Sequence, residues 1–263
     1  IYKLCKEGPI DKLSRTLYTQ PALFTVEAAL TDALKSRGVE PSCAAGHSLG
    51  EFGAWYAAES IGFEDGFRLV SERGRIMDSV DPDGSGAMSA VIGLTADAVG
   101  DILAQVDGMV VAANMNSQLQ TVISGEKSAV EKAGDMLKEI GAKRVIPLKV
   151  SGAFHSPLME TAREEFADVV GSVGISDANV PVYANVTAEP VTDADEIRSL
   201  MVEQLTSPVR WVGTVARIVR DGYVSAFEIG PGNVIAGLVK RIDENIAVTS
   251  ISDDLAVMEA AHG

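Results

Sequence analysis

A serine between two glycines is the residue of this chain whose chemistry is easiest to interpret. The segment Gly46-His47-Ser48-Leu49-Gly50 fits the pattern G-x-S-x-G, which places a nucleophilic serine on a sharp turn between a strand and a helix. We expect both glycines to be needed, because the strained backbone of such a turn leaves no room for a Cβ atom beside the serine. The turn would lift the Ser48 hydroxyl clear of the sheet, where the backbone N–H of Leu49 can donate to a developing oxyanion. The predicted strand and helix favour this interpretation over a glycine-rich turn with an incidental serine.

A serine nucleophile needs a general base, and the chain has three histidines. His262 is one residue from the C-terminus, and the side chain of His47 is expected to point away from the neighbouring hydroxyl. His155 remains, in a loop between a predicted strand and a predicted helix, from which a base can reach the turn. We therefore predict that His155 is the base of Ser48. An acidic third member cannot be chosen from 37 Asp and Glu residues, and a backbone carbonyl can orient a histidine instead.

Two stretches of the chain alternate between predicted helices and strands, as in a largely parallel sheet that helices cover on both faces. The first stretch contains a helix over 21–37, a strand over 41–45 and helices over 51–59 and 63–78. The second contains helices over 158–170, 193–205, 209–221 and 234–242, and strands over 180–184, 224–229 and 247–251. These stretches predict an α/β fold.

A different pattern separates the two stretches. The turn-rich segment Asp81-Pro82-Asp83-Gly84-Ser85-Gly86 marks a boundary. Beyond it we predict a strand over 87–92, a helix over 96–106, strands over 109–114 and 120–124, a helix over 127–140 and a strand over 143–149. The order βαββαβ is typical of a ferredoxin-like subdomain. We therefore predict a core in 1–85, an inserted subdomain in 86–150 and the second part of the core in 151–263.

The composition argues against several classes of partner. Lys and Arg total 22 against 37 Asp and Glu, a formal net charge of −15, whereas nucleic acids and anionic membranes require basic surfaces. No apolar run approaches the ~20 residues of a membrane-spanning helix. Cys5 and Cys43 have no metal or redox spacing. We expect a cytoplasmic monomer that binds neither nucleic acid nor membrane.

Six motifs follow one another along the chain. They are GHSLGE at 46–51, ERGR at 72–75, NMNS at 114–117, GAFHSPLM at 152–159, QLTSPVRW at 204–211 and EIGPG at 228–232. In this order they resemble the motifs of the bacterial malonyl-CoA:acyl carrier protein transacylases, and the resemblance covers essentially the whole chain. It implies an α/β-hydrolase-like core with a largely parallel sheet, interrupted by the ferredoxin-like subdomain.

The resemblance also implies catalytic roles. Ser48 would carry the acyl group, His155 would be its base, and the main-chain carbonyl of Gln204 would orient His155. Leu49 would supply the backbone oxyanion donor. Arg73 would pair with the free carboxylate of a malonyl group, since a guanidinium matches a carboxylate bidentately and stays charged. Without the resemblance, Arg73 would be interpreted as one of many surface cations.

Two further residues would contact the substrate. Asn116 would approach the active site from the subdomain hairpin, although asparagine is also a common turn residue. Phe154 resembles the pattern of malonyl-selective members of the family. A bulky ring there leaves no room for an α-methyl group, which is worth about 1–3 kcal/mol of discrimination.

The reaction implied is transfer of a malonyl group from malonyl-CoA to the phosphopantetheine thiol of an acyl carrier protein, through a malonyl-serine, in fatty acid biosynthesis. It implies no metal and no cofactor held by the chain. A serine hydrolase or thioesterase, a polyketide-pathway acyltransferase and an inactive carrier-binding remnant remain as alternatives. The inactive remnant is an alternative because members of the family carry an earlier strand and a turn that supplies a second oxyanion donor. Nothing in this sequence matches that strand or that turn. We expect the sequence to be a fragment of a longer protein.

Overall fold

The fold was analysed in a computed structural model of the chain. It describes residues 1–81 and 83–261. Pro82 of the predicted linker and His262 therefore lie outside the described residues.

The first part of the chain is mainly helical and contains one short strand. Its elements are α1 (Tyr2–Glu7), α2 (Ile10–Leu13), α3 (Thr16–Lys35), β1 (Ala44–Ala45), α4 (Gly50–Ala57) and α5 (Phe63–Ser79). Helix α3 begins at Thr16, so the predicted start at Pro21 is wrong. Proline suits the first turn of a helix, but here the preceding turn is also helical. Its Gln20 side chain is buried and donates to Thr16 Oγ1 at 2.7 Å.

The middle of the chain forms one antiparallel sheet with two helices. Its elements are β2 (Gly86–Ile92), α6 (Ala96–Leu103), β3 (Val110–Ser117), β4 (Gln120–Glu126), α7 (Lys127–Glu139) and β5 (Arg144–Pro147). This is the predicted element order, and the four strands lie in the spatial order β3-β4-β2-β5. Buried apolar residues of both helices, such as Val99 and Leu137, pack with Val91 and Ile123 of the sheet. The sheet and its helices thus enclose an apolar core of their own.

The last part returns to alternating helices and strands. After a 3-10 turn (Pro157–Met159) come α8 (Glu160–Gly171), β6 (Val182–Tyr183), β7 (Pro190–Val191), α9 (Ala194–Glu203), α10 (Trp211–Arg220), β8 (Ser225–Ile229), α11 (Val234–Ile242), β9 (Ala247–Ile251) and α12 (Asp254–Ala260). Strand β6 pairs in parallel with β1 and antiparallel with β7, while β8 pairs in parallel with β9. Within the described ranges, the predicted parallel sheet is therefore divided into two small sheets.

One contact joins the middle sheet to the rest. Val209, predicted to start a helix, instead forms a parallel bridge with Asn114 of β3. Its N–H donates to the Ala113 carbonyl at 2.8 Å, and its own carbonyl accepts from the Met115 N–H at 3.0 Å. Helix α10 consequently begins two positions later, at Trp211. The end of β3 is thereby held against the segment that leads into α10.

The largest apolar core surrounds α4. Phe52 and Trp55 of this helix are fully buried, together with Phe24 of α3, Leu69 of α5 and Phe166 of α8. Such packing fixes the helix that starts just after Ser48. No helix in the part of the chain that is described has the length and apolarity needed to cross a membrane.

Candidate active site

Ser48 lies on a tight turn between β1 and α4, with a φ of 52°. A Cβ atom on Gly46 would lie 1.9 Å from both the carbonyl carbon and the oxygen of Gly50, so only glycine fits there. A Cβ atom on Gly50 would meet nothing within 4 Å. The expectation that both glycines are required is therefore wrong for Gly50, whose missing side chain would face open space at the first turn of α4.

Asn185 holds this turn from the neighbouring strand. Its Oδ1 atom accepts from the Ser48 N–H at 2.7 Å, and its Nδ2 atom donates to the Gly46 carbonyl at 2.6 Å. Asn185 is fully buried and follows β6, the parallel neighbour of β1. Asn185 is not among the residues predicted from the sequence. The signal that could have found it is the meeting of the carboxyl ends of parallel strands at one edge of a sheet.

His155 lies next to Ser48, as predicted. Its Nε2 atom is 2.8 Å from Ser48 Oγ, and its Nδ1 atom is 2.9 Å from the Gln204 carbonyl and 3.2 Å from that of Ser207. Carbonyl oxygens only accept, so Nδ1 carries the proton and Nε2 is free to accept from the Ser48 hydroxyl. Burial, together with the positive charge of Arg73, lowers the pKa of His155 to about 3. The imidazole is therefore neutral at physiological pH and able to take a proton.

The backbone N–H of Leu49 is available beside the serine. Leu49 is the residue before α4, where the first N–H groups of a helix have no partner within the helix. Among residues 1–81 and 83–261, no hydrogen-bond acceptor contacts this N–H. The group can therefore donate to an oxygen that develops charge next to Ser48.

Arg73 is buried beside the serine, with 1% of its surface exposed. Its Nη1 atom donates to Gln20 Oε1 at 2.7 Å, and its Nη2 atom donates to Gln204 Oε1 at 2.8 Å and to Ser48 Oγ at 3.2 Å. Burial lowers the pKa of Arg73 to about 10, which leaves the guanidinium charged at neutral pH. The interpretation of Arg73 as a surface cation is therefore wrong.

A buried carboxylate that the sequence analysis did not select completes the network. Oε1 of Glu51 accepts from the Asn185 N–H at 2.8 Å, and Oε2 accepts from Gln204 Nε2. The same Nε2 atom donates to the Ser48 carbonyl at 3.0 Å. Burial raises the pKa of Glu51 to about 7, opposed by these hydrogen bonds and by the charge of Arg73.

Asn116 reaches the turn but not the serine hydroxyl. It lies in β3, so it is not a turn asparagine, and its Oδ1 atom is 2.7 Å from Nε2 of His47. The His47 ring packs edge-on against Trp211 at 5.5 Å, away from Ser48 as expected. Burial lowers the pKa of His47, so its neutral ring donates from Nε2 to the asparagine oxygen.

Phe154 is half-buried, immediately before His155. Its ring packs both against the large core around α4 and against a second apolar cluster that contains Met88 and Ala113 of the middle sheet. The aromatic side chain therefore lies where the two parts of the fold meet. This places a bulky apolar group on the chain segment that carries His155.

Together these groups suit one kind of chemistry. The Ser48 hydroxyl, the neutral His155 imidazole and the free N–H of Leu49 fit attack on a carbonyl carbon, while the buried guanidinium of Arg73 fits a substrate with a negative charge. No group of three His, Cys, Asp or Glu side chains within the described ranges is placed to bind a metal ion. The class defined is a mixed α/β protein with a serine–histidine site for acyl chemistry.

The comparisons with known proteins agree with this class. Residues 1–254 match the family model of the acyl transferase domain, and the chain belongs to that family. It is 41% identical over 250 residues to the malonyl CoA-acyl carrier protein transacylase of Bacillus subtilis (strain 168), covering 94% of this chain and 79% of that protein.

Two solved structures have a similar fold. The malonyl CoA-acyl carrier protein transacylase from Coxiella burnetii superimposes with a TM-score of 0.96 at 38% identity, covering 99% of this chain and 84% of that one. A type II PKS acyl-carrier protein in complex with its malonyl-transacylase gives a TM-score of 0.96 at 39% identity, covering 99% and 85%. Both confirm the mixed α/β fold.

Proposed function

We propose that this chain is a malonyl-CoA:acyl carrier protein transacylase that acts in fatty acid biosynthesis. Its relatives in Bacillus subtilis and Haemophilus influenzae, 41% and 40% identical, carry the name malonyl CoA-acyl carrier protein transacylase. The single observation that carries the proposal is the buried guanidinium of Arg73, 3.2 Å from Ser48 Oγ. A cation in contact with the nucleophile favours an acyl group that itself carries a carboxylate.

In the first half-reaction, Ser48 Oγ attacks the thioester carbonyl of malonyl-CoA while His155 Nε2 takes the hydroxyl proton. The Gln204 carbonyl accepts from Nδ1–H of His155 and stabilises the imidazolium that forms. The Leu49 N–H donates to the oxyanion of the tetrahedral intermediate. The carbon–sulfur bond then breaks, and CoA leaves as the thiol with the proton from His155.

The acyl group is selected by the side chains around Ser48. Arg73 binds the malonyl carboxylate with a pair of N–H groups. Asn116 orients the turn through His47 and takes part in substrate binding from the middle sheet. The ring of Phe154 limits the space beside the α-carbon of the acyl group, as the sequence predicts.

In the second half-reaction, His155 takes the proton of the phosphopantetheine thiol of the carrier protein. The sulfur attacks the malonyl-serine ester, and the proton returns to Ser48 as the ester breaks. One thioester replaces another, so the free energy of the reaction is close to zero. The demand on the active site is therefore to exclude water, which would hydrolyse the malonyl-serine ester. No cofactor is held by the chain, since the phosphopantetheine arrives on the carrier. We place the reaction in the reducing cytoplasm, where Cys5 and Cys43, both free, remain thiols.

We also assign the parts of the fold. Residues 1–85 and 151–263 are assigned to an α/β-hydrolase-like core, which supplies Ser48, His155 and Arg73. Residues 86–150 are assigned to a ferredoxin-like subdomain. The sheet order β3-β4-β2-β5 and the separate apolar core support this division.

The fate of the acyl group tests the proposal. The chain is incubated with malonyl-CoA in the presence or absence of a holo acyl carrier protein, and malonyl-carrier, free CoA and malonate are measured. We expect malonyl-carrier in equal amount to released CoA, and little malonate. Malonate as the main product would identify a hydrolase, and transfer to the carrier of a polyketide pathway alone would identify a polyketide-pathway acyltransferase. No release of CoA would identify the inactive carrier-binding remnant.

A further inference from the structure

Glu51 is a buried carboxylate to which the proposed reaction gives no role. It lies in the first turn of α4 with 1% of its surface exposed. Its two oxygens accept from the Asn185 N–H and from Gln204 Nε2. A carboxylate is rarely buried unless its partners compensate for the loss of water, so its contacts call for an explanation.

The first consequence of Glu51 concerns the orientation of the Gln204 amide. The ionised carboxylate of Glu51 only accepts hydrogen bonds, as does the Ser48 carbonyl that the same Nε2 atom contacts at 3.0 Å, so the NH2 group of Gln204 must face these two acceptors. The opposite end of the amide, Oε1, then faces Arg73 and accepts from its Nη2 atom at 2.8 Å. Arg73 only donates, so the reverse orientation of the amide would place donor against donor at Arg73 and acceptor against acceptor at Glu51.

The second consequence concerns the charge of Arg73. The hydrogen-bond acceptors of this guanidinium in the described part of the chain are Gln20 Oε1, Gln204 Oε1 and Ser48 Oγ, all of them neutral. In its ionised form Glu51 supplies a compensating negative charge, which the charge of Arg73 favours, but the Gln204 amide stands between the two groups. Because no carboxylate of the described residues occupies Arg73 directly, its charge stays available to a carboxylate of the substrate.

We infer that Glu51 is a positioning residue for Arg73, which acts through the Gln204 amide and thereby sets the preference for an acyl group with a carboxylate. The inference rests on the proposed function. Loss of a residue with only a structural role should slow acylation by malonyl-CoA and by acetyl-CoA equally. Loss of Glu51 should instead slow acylation by malonyl-CoA more than acylation by acetyl-CoA.

The variant Glu51→Gln retains the shape of the side chain and removes its charge. The amide it introduces can accept from only one of the two donors that Glu51 satisfies, so the other donor is left facing an NH2 group. Second-order rate constants for acylation by malonyl-CoA and by acetyl-CoA are measured from intact-protein mass. We expect the malonyl-to-acetyl ratio to fall by about tenfold or more, the scale of one lost charge-assisted hydrogen bond.

Glu27→Gln is the matched control. Glu27 is a half-buried carboxylate whose pKa burial raises to about 7, and its Oε2 atom contacts no hydrogen-bond donor within the described ranges. We expect the malonyl-to-acetyl ratio of Glu27→Gln to stay within about twofold of wild type, because Glu27 has no hydrogen bond to Gln204 or Arg73. Arg73→Met and the double variant Arg73→Met/Glu51→Gln complete a double-mutant cycle. If Glu51 acts through Arg73, adding Glu51→Gln to Arg73→Met should not lower the malonyl-to-acetyl ratio further.

If Glu51→Gln does not fold, Gln204→Met replaces it, since this variant removes the amide and retains the main-chain carbonyl that holds His155. It should lower the same ratio. Equal losses for both thioesters, or an unchanged ratio, would overturn the role of Glu51. A wild-type chain that malonyl-CoA does not acylate would instead overturn the proposed function, so the two failures are distinguishable.

Discussion

Gly46→Ala tests whether the geometry of the serine turn is as tight as the structure has it. The new Cβ atom would lie 1.9 Å from the carbonyl carbon and oxygen of Gly50 and 2.3 Å from the nitrogen of Glu51. All three atoms belong to the backbone, so no side chain can rotate away. An ordinary contact needs about 3.4 Å or more, and the start of α4 would have to move by about 1.5 Å.

Such a movement would separate Ser48 from His155, the proposed nucleophile and base. Ser48 Oγ and His155 Nε2 are 2.8 Å apart, and a displacement of about 1 Å at a reacting group costs on the order of 10² in rate. We therefore expect Gly46→Ala to lower the acylation rate by at least about 10²-fold. The melting temperature should fall as well, because overpacking costs about 1–3 kcal/mol.

Gly50→Ala is the matched control from the same motif. Its Cβ atom would meet nothing within 4 Å, and alanine favours the helix by up to about 1 kcal/mol over glycine. We expect acylation within about threefold of wild type and equal or higher stability. Both variants are mixed with malonyl-CoA, quenched after set times and weighed by mass spectrometry. Wild-type acylation by Gly46→Ala, or an equal loss in Gly50→Ala, would refute the reasoning.

Two further predictions concern Arg73 and His155. Opposite charges about 4 Å apart at an effective dielectric constant of 20 attract by about 4 kcal/mol, so Arg73→Met should lower kcat/KM for malonyl-CoA by about 10³-fold. The exposed Arg75→Met on the same helix should have an effect below about twofold, and similar losses in both would count against the buried charge. The pKa of His155 is about 3 in the folded chain and about 6.5 in the unfolded chain. The unfolded chain therefore binds an extra proton between these values, and stability falls as the pH drops below about 6.5, by about 2 kcal/mol at pH 5. His47, whose pKa burial also lowers, contributes to the loss in both proteins, so urea unfolding at pH 7.5 and pH 5 should show a loss about 2 kcal/mol larger in wild type than in His155→Gln. An equal loss in both would contradict the assignment.

Local patterns in the sequence were sufficient for part of the site. The turn around Ser48 follows from glycine spacing, and His155 follows from elimination among three histidines. The order of strands and helices over 86–147 follows from alternating apolar residues, and β2 begins and ends within one residue of its predicted bounds. These features depend on neighbours in the chain, which is why sequence alone indicates them.

The rest depends on contacts between distant segments. Arg73 illustrates this most clearly, since cations on helices usually face water, and its burial follows from acceptors 53 and 131 positions away in the chain. Asn185 contacts Ser48 across 137 positions. Only the family resemblance indicates Arg73, through the motif at 72–75, and no local pattern marks Asn185. Gly50 shows the converse error, because a motif suggested a constraint that the three-dimensional surroundings do not impose.

The most direct test of the central claim is the intact mass of the protein after brief mixing with malonyl-CoA. Wild type and Ser48→Ala are compared, and any adduct is located by peptide mapping. We expect a stable gain of one malonyl group in wild type, on the peptide that contains Ser48, and no gain in the variant. An adduct that persists in Ser48→Ala, or CoA release from wild type without a retained acyl group, would contradict this expectation.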